Sequence, residues 1–305
     1  MNKVICIMGP TGAGKTAQSL AMAKANLPIC IINADSRQLY KDFPIISAQP
    51  SEEEKSICPH KLFGYLETKE ASSAGVWLER AKKEIECAHA GGQIPVFVGG
   101  TGFYFRALFD GIAEIPDIPE EIHEHFIREI TEKGSQALYE ELQKIDTEYA
   151  QKIHFNDKQR IARALEVFTA TGKKFSDWHK ETPQGTQYDV LRIGIGLPLD
   201  ELAPILYKRT AIMLENGALE EAKKALENCP DITAPGWTGI GCIELANYLL
   251  KKYSLEECQT LWNKNTRAYA KRQWTWFRAD TRIHWFRPEE QSLPSVLEFL
   301  EHFRK

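Results

Sequence analysis

Short apolar runs followed by polar or glycine-rich turns set the pattern of the chain. Three of them, residues 4–8, 29–32 and 95–98, are separated by stretches long enough for helices. Residues that are apolar at every position are typical of strands covered on both faces, as in parallel sheets flanked by helices. Two later runs, residues 192–197 and 283–286, indicate further strands. The pattern predicts an α/β fold with a parallel sheet of about five strands and functional groups at their carboxyl ends.

In the middle of the chain, between residues 116 and 187, the apolar spacing becomes helical and no stretch favours a strand. The proline-rich sequence Ile-Pro-Asp-Ile-Pro at 115–119 begins this region, and Thr-Pro-Gln-Gly at 182–185 ends it. We therefore predict an all-helical insertion at 116–187, carried by an α/β core made of residues 1–115 and 188–305.

Composition is that of an ordinary globular protein and constrains the partners. With 38 Lys and Arg against 42 Asp and Glu, the net charge is −4, so a polyanion would need local basic patches. The seven cysteines are scattered without a C-x-x-C pair, which favours reduced thiols over disulfides or a zinc site. No apolar run reaches about 18 residues, and the first run is too short for a signal peptide. We expect a monomeric, cytoplasmic protein without a membrane segment.

The first turn fits the pattern G-x-x-x-x-G-K-[ST] of a phosphate-binding P-loop. Its residues are Gly9, Pro10, Thr11, Gly12, Ala13, Gly14, Lys15 and Thr16. Glycines let several backbone N–H groups point at phosphate oxygens, the lysine adds positive charge, and the threonine hydroxyl can bind Mg²⁺. The position directly after a buried strand and before a helix makes the signal strong. We predict a bound phosphate chain here, with Mg²⁺ as cofactor.

The other strand ends differ from those of an ordinary NTPase. The run at 95–98 ends in Gly-Gly-Thr, without the Walker-B acid that would organise a metal for hydrolysis. Asp35, after the second run, is the only acid at a strand end. It is either a cap or turn former, or a general base or metal-organising carboxylate; its position alone favours neither. The missing acid favours a phosphate chain held as a leaving group.

Several motifs, in order along nearly the whole chain, together resemble the tRNA isopentenyltransferase family of bacterial tRNA dimethylallyltransferases. Beyond the P-loop they are Asp-Ser-Arg-Gln-Leu-Tyr at 35–40, Val-Gly-Gly-Thr-Gly-Phe-Tyr at 98–104, Asn-Asp at 156–157, Gln-Arg at 159–160, Arg-Ala-Leu-Glu-Val at 163–167, Thr-Gly-Lys at 171–173, Tyr-Ala-Lys-Arg-Gln at 269–273 and Thr-Trp-Phe-Arg at 275–278. The resemblance implies a P-loop kinase-like core with a helical insertion. It also implies transfer of a dimethylallyl group from its diphosphate to N6 of adenosine 37, beside the tRNA anticodon.

The resemblance assigns a role to each motif. The P-loop with Lys15, Thr16 and Mg²⁺ would hold the diphosphate, and Arg209 would reach it or form a structural ion pair. Asp35 would be the base for the adenine N6–H, and Thr101 a partner of the diphosphate or the reacting end. The residues implied to contact the tRNA and its anticodon stem-loop are Asp35, Ser36, Arg37, Gln38, Thr101, His123, Gln159, Arg160, Ile161, Ala162 and Arg163.

Basic residues are locally available despite the acidic total. Arg160 and Arg163 lie at i, i+3 and share a helix face. A second group late in the chain comprises Lys264, Arg267, Lys271, Arg272, Arg278 and Arg282, interleaved with Tyr269, Trp274 and Trp276. One such cluster is usually a solvated helix face. Two clusters at motif positions favour phosphate contacts that position an RNA.

The chain departs from the family pattern at three places. Cys242 and Ile243 stand where the family has tyrosine and a basic residue, which puts a tyrosine contact there in doubt. Ala211 replaces a frequent aspartate, and Lys-Leu-Phe-Gly-Tyr at 61–65 replaces the usual stretch after Pro-His. None of these changes removes a group that we place at the reaction centre. They could shift substrate preference.

Three other functions share part of this pattern. A nucleoside or nucleotide kinase would use Asp35 toward a hydroxyl group and would turn over ATP. An isopentenyltransferase for free AMP, ADP or ATP would not need Gln159, Arg160 and Arg163. A non-catalytic P-loop module would bind nucleotide tightly and form no product.

Overall fold

A six-stranded, fully parallel sheet forms the core of the computed structural model, which describes residues 2–182, 185 and 188–301. The strand order is β3-β2-β4-β1-β5-β6, and each neighbouring pair is parallel. The strands are β1 Lys3–Met8, β2 Ile29–Asn33, β3 His60–Lys61, β4 Ile94–Gly99, β5 Asp189–Ile195 and β6 His284–Phe286. The predicted α/β class is confirmed.

The five predicted apolar runs are strands, and β3 is a sixth that the sequence did not reveal. β3 has two residues, is not buried on both faces, and pairs with β2 through Ile31 opposite His60. A strand this short, made by backbone pairing at the sheet edge, leaves no hydrophobic pattern. By contrast every residue of β1, β2 and β4 is buried, as their continuous apolar sequences require.

Helices surround the sheet and pack their apolar residues against it. Before the insertion they are α1 Lys15–Lys24, α2 Glu52–Ile57, α3 Ala74–Ala90 and α4 Gly102–Asp110. After it they are α10 Leu199–Glu215, α11 Ala218–Asn228, a 3-10 turn Pro235–Thr238, α12 Cys242–Leu249, α13 Leu255–Arg278 and α14 Leu293–Glu301. One core cluster joins strand residues such as Ile7 and Val96 with Leu20 and Met22 of α1 and Val296 of α14. Among the described residues, no helix is long and apolar enough to cross a membrane.

The chain divides into two compact units, and the second is entirely helical in its described part. It spans Ala107–Thr186, whereas the first comprises Met1–Arg106 and Gln187–Lys305. Its helices are α5 Glu120–Glu132, α6 Gly134–Ile145, α7 Thr147–Ala150, α8 Lys158–Thr171 and α9 Phe175–Lys180. The unit begins before the predicted residue 116, because the second half of α4 is grouped with it. It has its own buried cluster, which includes Phe126, Leu142 and Leu165.

Candidate active site

The P-loop connects β1 to α1 in a backbone conformation that requires glycine at two positions. Gly9 has φ 145°, and a Cβ atom built there would lie 2.0 Å from the carbonyl oxygen of Ile195. Gly14 has φ 87° and caps α1 without a side-chain hydrogen bond. The free N–H groups in the first turn of α1 are therefore available to an anion.

Lys15 folds back across this loop. Its Nζ donates hydrogen bonds to the carbonyl oxygens of Gly9, at 3.0 Å, and Pro10, at 2.7 Å. Burial is the main cause that lowers the pKa of Lys15, to about 8; the positive charge of Arg209 lowers it further and Asp35 partly offsets both. An anion in the loop would raise the pKa of this ammonium group again.

Gln273 of α13 ties the P-loop to the turn after β4. Its Oε1 accepts a hydrogen bond from the N–H of Thr11 at 2.8 Å, and its Nε2 donates to the carbonyl oxygen of Gly100 at 2.8 Å. The side chain is buried. The sequence placed Gln273 in a motif but gave it no role, since only the tertiary structure brings its two partners together.

Hydrogen bonds join the turns that follow β2 and β4. The Asn33 side chain accepts from the N–H of Asp35 at 2.8 Å and donates to the carbonyl oxygen of Asp35 at 3.0 Å. The N–H of Ser36 donates to Thr101 Oγ1 at 2.9 Å, and the N–H of Thr101 donates to the carbonyl oxygen of Ala34 at 3.1 Å. Asp35 and Thr101, which are 66 positions apart, thus belong to one hydrogen-bonded unit.

Asp35 forms a turn and also faces a cavity. Its Oδ1 accepts a hydrogen bond from the N–H of Arg37 at 2.9 Å, as an Asx turn requires. The same residue lines the cavity, so the carboxylate has a second oxygen to offer there. The two interpretations that the sequence left open are therefore compatible.

The cavity has a volume of about 310 Å³ and combines charged, hydroxyl and apolar groups. Its lining residues are Thr11, Asp35, Ser36, Arg37, Ile46, Ser47, Arg209, Thr210, Met213, Gly236, Thr238, Gly239, Ile240, Cys242, Trp262, Thr266, Tyr269 and Arg272. All of them belong to the α/β unit. Part of the P-loop, the proposed base and an arginine thus face one space.

Arg209 is one of the cations beside Asp35. Burial lowers the pKa of its guanidinium, and the Asp35 carboxylate opposes this shift. Among the residues that the structure describes, no carboxylate oxygen lies within 4.0 Å of it. Among the described residues, Arg209 therefore does not form the structural ion pair that the sequence left open as an alternative. Its guanidinium is available to bind an anion in the cavity.

Tyr269, Arg37 and Gln38 lie near Asp35 in the fold, but each makes different contacts. Tyr269 lies near the side chain of Thr101, and burial is the main cause that raises its pKa. Arg37 donates to Thr238 Oγ1 at 2.6 Å at the exposed side of the cavity. Gln38 instead donates to the carbonyl oxygens of Ser47, at 3.1 Å, and Ala48, at 2.6 Å. Its amide group therefore supports the adjoining loop.

Glu221 of α11 is a buried carboxylate that the sequence did not single out. It accepts hydrogen bonds from the N–H groups of Ile45, at 2.7 Å, and Ile46, at 2.8 Å. Burial raises its pKa to about 7, although both hydrogen bonds oppose this. Because Ile46 and Ser47 line the cavity, Glu221 positions part of its wall.

In the insertion, the predicted RNA contacts separate into exposed and buried groups. Asp157 caps α8 by accepting from the N–H of Arg160 at 3.2 Å, and the side chains of Gln159, Arg160 and Arg163 are exposed. The side chains of Ile161 and Ala162 are buried in the core of the unit, so side-chain contacts of this segment are left to the exposed residues, and the RNA contact of these two residues stays a prediction. An apolar side chain in a packed core is not available to an RNA.

His123 of α5 and Arg163 of α8 meet at a buried acid. His123 Nδ1 lies 2.9 Å from Glu166 Oε1, and Arg163 donates to Glu166 Oε2 at 3.3 Å. Glu166 is 2% exposed, whereas His123 and Arg163 are at the surface. The buried acid fixes both side chains on one surface of the insertion.

The departures from the family pattern lie in different places. Cys242 lines the cavity and is buried, so the substitution changes the cavity wall. Ala211 is exposed on α10, and its neighbours Arg209 and Met213 are the residues that reach the cavity. Glu244 still accepts from the N–H of Gly241, at 2.7 Å, and keeps the turn before α12.

Fold and site together define a P-loop α/β protein in which a phosphate cradle after β1 and a carboxylate after β2, two strands away in the sheet, face one cavity. The profile of the IPP transferase family matches residues 38–280, and that of isopentenyl transferase matches residues 2–60. The chain belongs to the IPP transferase family, as its motifs predicted.

Relatives with this fold cover nearly the whole chain. It is 56% identical to the tRNA dimethylallyltransferase of Maridesulfovibrio salexigens over 94% of this chain and 93% of the relative. It is 37% identical to that of Rhodopseudomonas palustris, over 94% and 90% of the two chains. The crystal structure of a full-length tRNA isopentenylpyrophosphate transferase from Bacillus halodurans matches with a TM-score of 0.70 and 31% identity, covering 100% of this chain and 96% of that one. A eukaryotic dimethylallyltransferase acting on tRNA matches with a TM-score of 0.81 and 29% identity, over 97% and 78%.

Proposed function

We propose that the protein transfers the dimethylallyl group of dimethylallyl diphosphate to N6 of adenosine 37 in tRNA and releases diphosphate. Membership of the family supports this reaction, because its bacterial relatives are named tRNA dimethylallyltransferases. The observation that carries the proposal in the molecule itself is the cavity that holds Thr11 of the P-loop, Arg209 and Asp35 together.

The donor diphosphate is bound at the P-loop end. The free N–H groups at the start of α1, Lys15 and Arg209 supply positive potential, and no side chain caps that helix terminus. Charge grows on the diphosphate oxygens as the allylic C–O bond breaks. Donors fixed in advance therefore stabilise the transition state more than the ground state.

The acceptor adenine is bound at the Asp35 end. Its exocyclic amine is a weak nucleophile, because the nitrogen lone pair is delocalised into the ring. As the N6–C bond forms and the C–O bond breaks, the nitrogen becomes acidic and Asp35 accepts its proton. The Thr101 hydroxyl, held by Ser36, contacts the reacting groups between the two ends.

The apolar part of the cavity excludes water from the reacting carbon. Ile46, Met213 and Trp262 contribute this surface. Water there would capture the developing allyl cation and form an alcohol instead. An adenine in a stacked loop cannot enter such a space, so we propose that it leaves the stack before transfer.

Mg²⁺ fits the residues at the start of α1. Thr16 is an exposed residue in its first turn, among the N–H groups proposed to bind the anion. Mg²⁺ commonly binds through one or two protein oxygens, substrate phosphates and water. When bound, it would neutralise charge on the diphosphate leaving group.

We further infer that the enzyme acts as a cytoplasmic monomer. All seven cysteines are free, as suits a reducing compartment. The monomeric state stays a prediction.

One assay separates this reaction from the alternatives. The protein is incubated with labelled dimethylallyl diphosphate, Mg²⁺ and either unmodified tRNA or AMP, and ATP turnover is followed in parallel. We expect label on tRNA alone. Label on AMP alone would assign a free-nucleotide isopentenyltransferase, ATP turnover with phosphate transfer a kinase, and tight nucleotide binding without product a non-catalytic module.

A further inference from the structure

One face of α13 continues from the cavity to an exposed aromatic surface. Tyr269, Arg272 and Trp276 lie at positions i, i+3 and i+7 and therefore share a helix face. Tyr269 and Arg272 line the cavity. Trp276 lies four residues further, a rise of about 6 Å along the helix axis. This distance is on the scale of one or two nucleotides of a strand, at about 3.4 Å each.

Trp276 contacts the turn that carries Thr101. A Cβ atom built on Gly102 would lie 2.1 Å from the indole atoms Cδ1 and Nε1, so the ring packs directly on that glycine. Gly102 follows Thr101 in the chain and begins α4. The indole therefore lies beside the active-site turn, at its exposed side.

Phe103 and Arg106 of α4 complete a cluster of planar groups with Trp276. The guanidinium carbon of Arg106 lies 4.8 Å from the ring centroid of Phe103 and 5.5 Å from that of Trp276. Each of the two rings is nevertheless 40% exposed. Among residues 2–182, 185 and 188–301, no carboxylate lies within 4.0 Å of the Arg106 guanidinium, so its charge is not neutralised by an ion pair.

The charge around this cluster favours a polyanion. Arg272 is exposed on the same face of α13 as Trp276 and adds to the charge of Arg106, although the whole chain has a net charge of −4. Lys271 and Arg278 are exposed elsewhere on this helix. Aromatic rings and arginine planes beside exposed cations are the groups on which unpaired bases of RNA stack. A protein partner would not require this positive charge.

We propose that Phe103, Arg106 and Trp276, the stacking platform, bind an unpaired nucleobase that neighbours the base in the cavity. This proposal rests on the RNA substrate proposed above. Stacking on the platform would hold the strand open on one side of the extruded adenine. It adds base stacking to the phosphate contacts expected from the basic residues, and it is a binding role, not a catalytic one.

The test compares Trp276→Leu and Phe103→Leu with Trp276→Phe and with Tyr207→Leu, an exposed aromatic on α10 of the same unit. The Kd of an unmodified anticodon stem-loop is measured by fluorescence anisotropy at several salt concentrations, and the Kd of dimethylallyl diphosphate by calorimetry. Both platform Leu variants are expected to weaken RNA binding by about 5- to 150-fold, the range for loss of one base–aromatic stack. Trp276→Phe and Tyr207→Leu should stay near wild type. The salt slope should not change, because stacking releases no counterions.

Several results would overturn the proposal. RNA affinities of both platform Leu variants equal to that of Tyr207→Leu would assign the platform to another partner. Equal losses in Trp276→Leu and Trp276→Phe, or a parallel loss of donor affinity, would make the indole a packing support for the Thr101 turn. If wild type and platform variants modify tRNA equally well, the platform proposal is wrong and the proposed function stands. If wild type transfers nothing to tRNA, the proposed function itself is wrong.

Discussion

At the scale of single residues, three charges share a small space at the end of the sheet. Burial lowers the pKa values of Lys15 and Arg209, and the nearby Asp35 carboxylate raises them. Arg37 and Arg272 line the same cavity, so positive charge exceeds negative charge there and a diphosphate neutralises the excess. The free protein therefore holds these cations in place before an anion binds. Their burial costs desolvation energy, which the bound anion offsets.

Lys15 makes donor binding dependent on pH. Because its pKa is lowered to about 8, the ammonium group loses its proton as pH rises through that value, while the guanidinium of Arg209 stays charged. The affinity for dimethylallyl diphosphate should thus be greatest below pH 8 and fall by up to about tenfold per pH unit above it. Calorimetry between about pH 6.5 and 9.5 measures this.

Lys15→Arg is the matched control for this profile, since an arginine keeps its charge over the whole range. Its Kd should change little with pH above 8. If wild type and Lys15→Arg lose affinity with the same slope, the titration belongs to another group and the role given to Lys15 is wrong.

At the scale of elements, the sequence predicted the strands that carry an apolar run, including β6, which is only partly buried. β1, β2 and β4 were found because each of their residues packs in the core. β3 was missed because it is defined by pairing with β2 alone. An apolar run identifies a strand even at the edge of the sheet, as in β6, whereas the two residues of β3, His60 and Lys61, carry no such run.

The sequence identified some residues of the candidate site and missed others. Lys15 and Asp35 lie directly at strand ends, so local sequence identified them. Gln273 and Glu221 act through backbone groups more than 170 positions away, and nothing in the neighbouring sequence shows those partners. Ile161 follows Arg160 in the sequence, but the helical period turns its side chain into the core while Arg160 and Arg163 are exposed. A motif written as a run of consecutive residues does not show which of them face the core.

Gln273 joins α13 to the P-loop, and its loss should affect both stability and binding. Gln273→Leu leaves the Thr11 N–H and the Gly100 carbonyl without their partner. Each buried group left unpaired costs about 1–3 kcal/mol. We expect the free energy of unfolding, measured in urea, to fall by at least about 1 kcal/mol and donor affinity to weaken.

Thr275→Ala, at an exposed position of the same helix, is the control for Gln273→Leu. It removes only a side-chain hydrogen bond to the Lys271 carbonyl within α13. Equal stability and equal donor affinity in the two variants would show that Gln273 does not support the loop.

At the scale of the whole molecule, each of the two compact units has its own core and its own share of the proposed reaction. The α/β unit holds the cavity, and the helical unit carries the exposed residues Gln159, Arg160 and Arg163. A substrate that needs both units is larger than a free nucleotide. The helical unit is therefore expected to act on RNA binding and not on donor binding.

Replacing Arg160 and Arg163 together by glutamine tests this division. We expect the KM for tRNA to rise, with the Kd for dimethylallyl diphosphate unchanged. The slope of log Kd for RNA against log salt should fall by about one for each phosphate that the arginines no longer neutralise. Arg128→Gln, an exposed arginine on α5 of the same unit, is the control. Equal tRNA binding by the double variant and the control would remove the α8 arginines from the RNA surface.

The most direct test of the account is the Asp35→Asn variant in a single-turnover assay with tRNA, alongside the Kd of dimethylallyl diphosphate. The amide oxygen can still accept from the Arg37 N–H, as Asp35 Oδ1 does at 2.9 Å. Asp231→Asn is the matched control, since Asp231 makes the same contact with the N–H of Thr233, at 2.9 Å, on the surface. We predict that Asp35→Asn slows transfer by about 10²- to 10⁴-fold with donor affinity retained. Transfer at the wild-type rate, or an equal loss of donor binding, would contradict the role of Asp35 as the base.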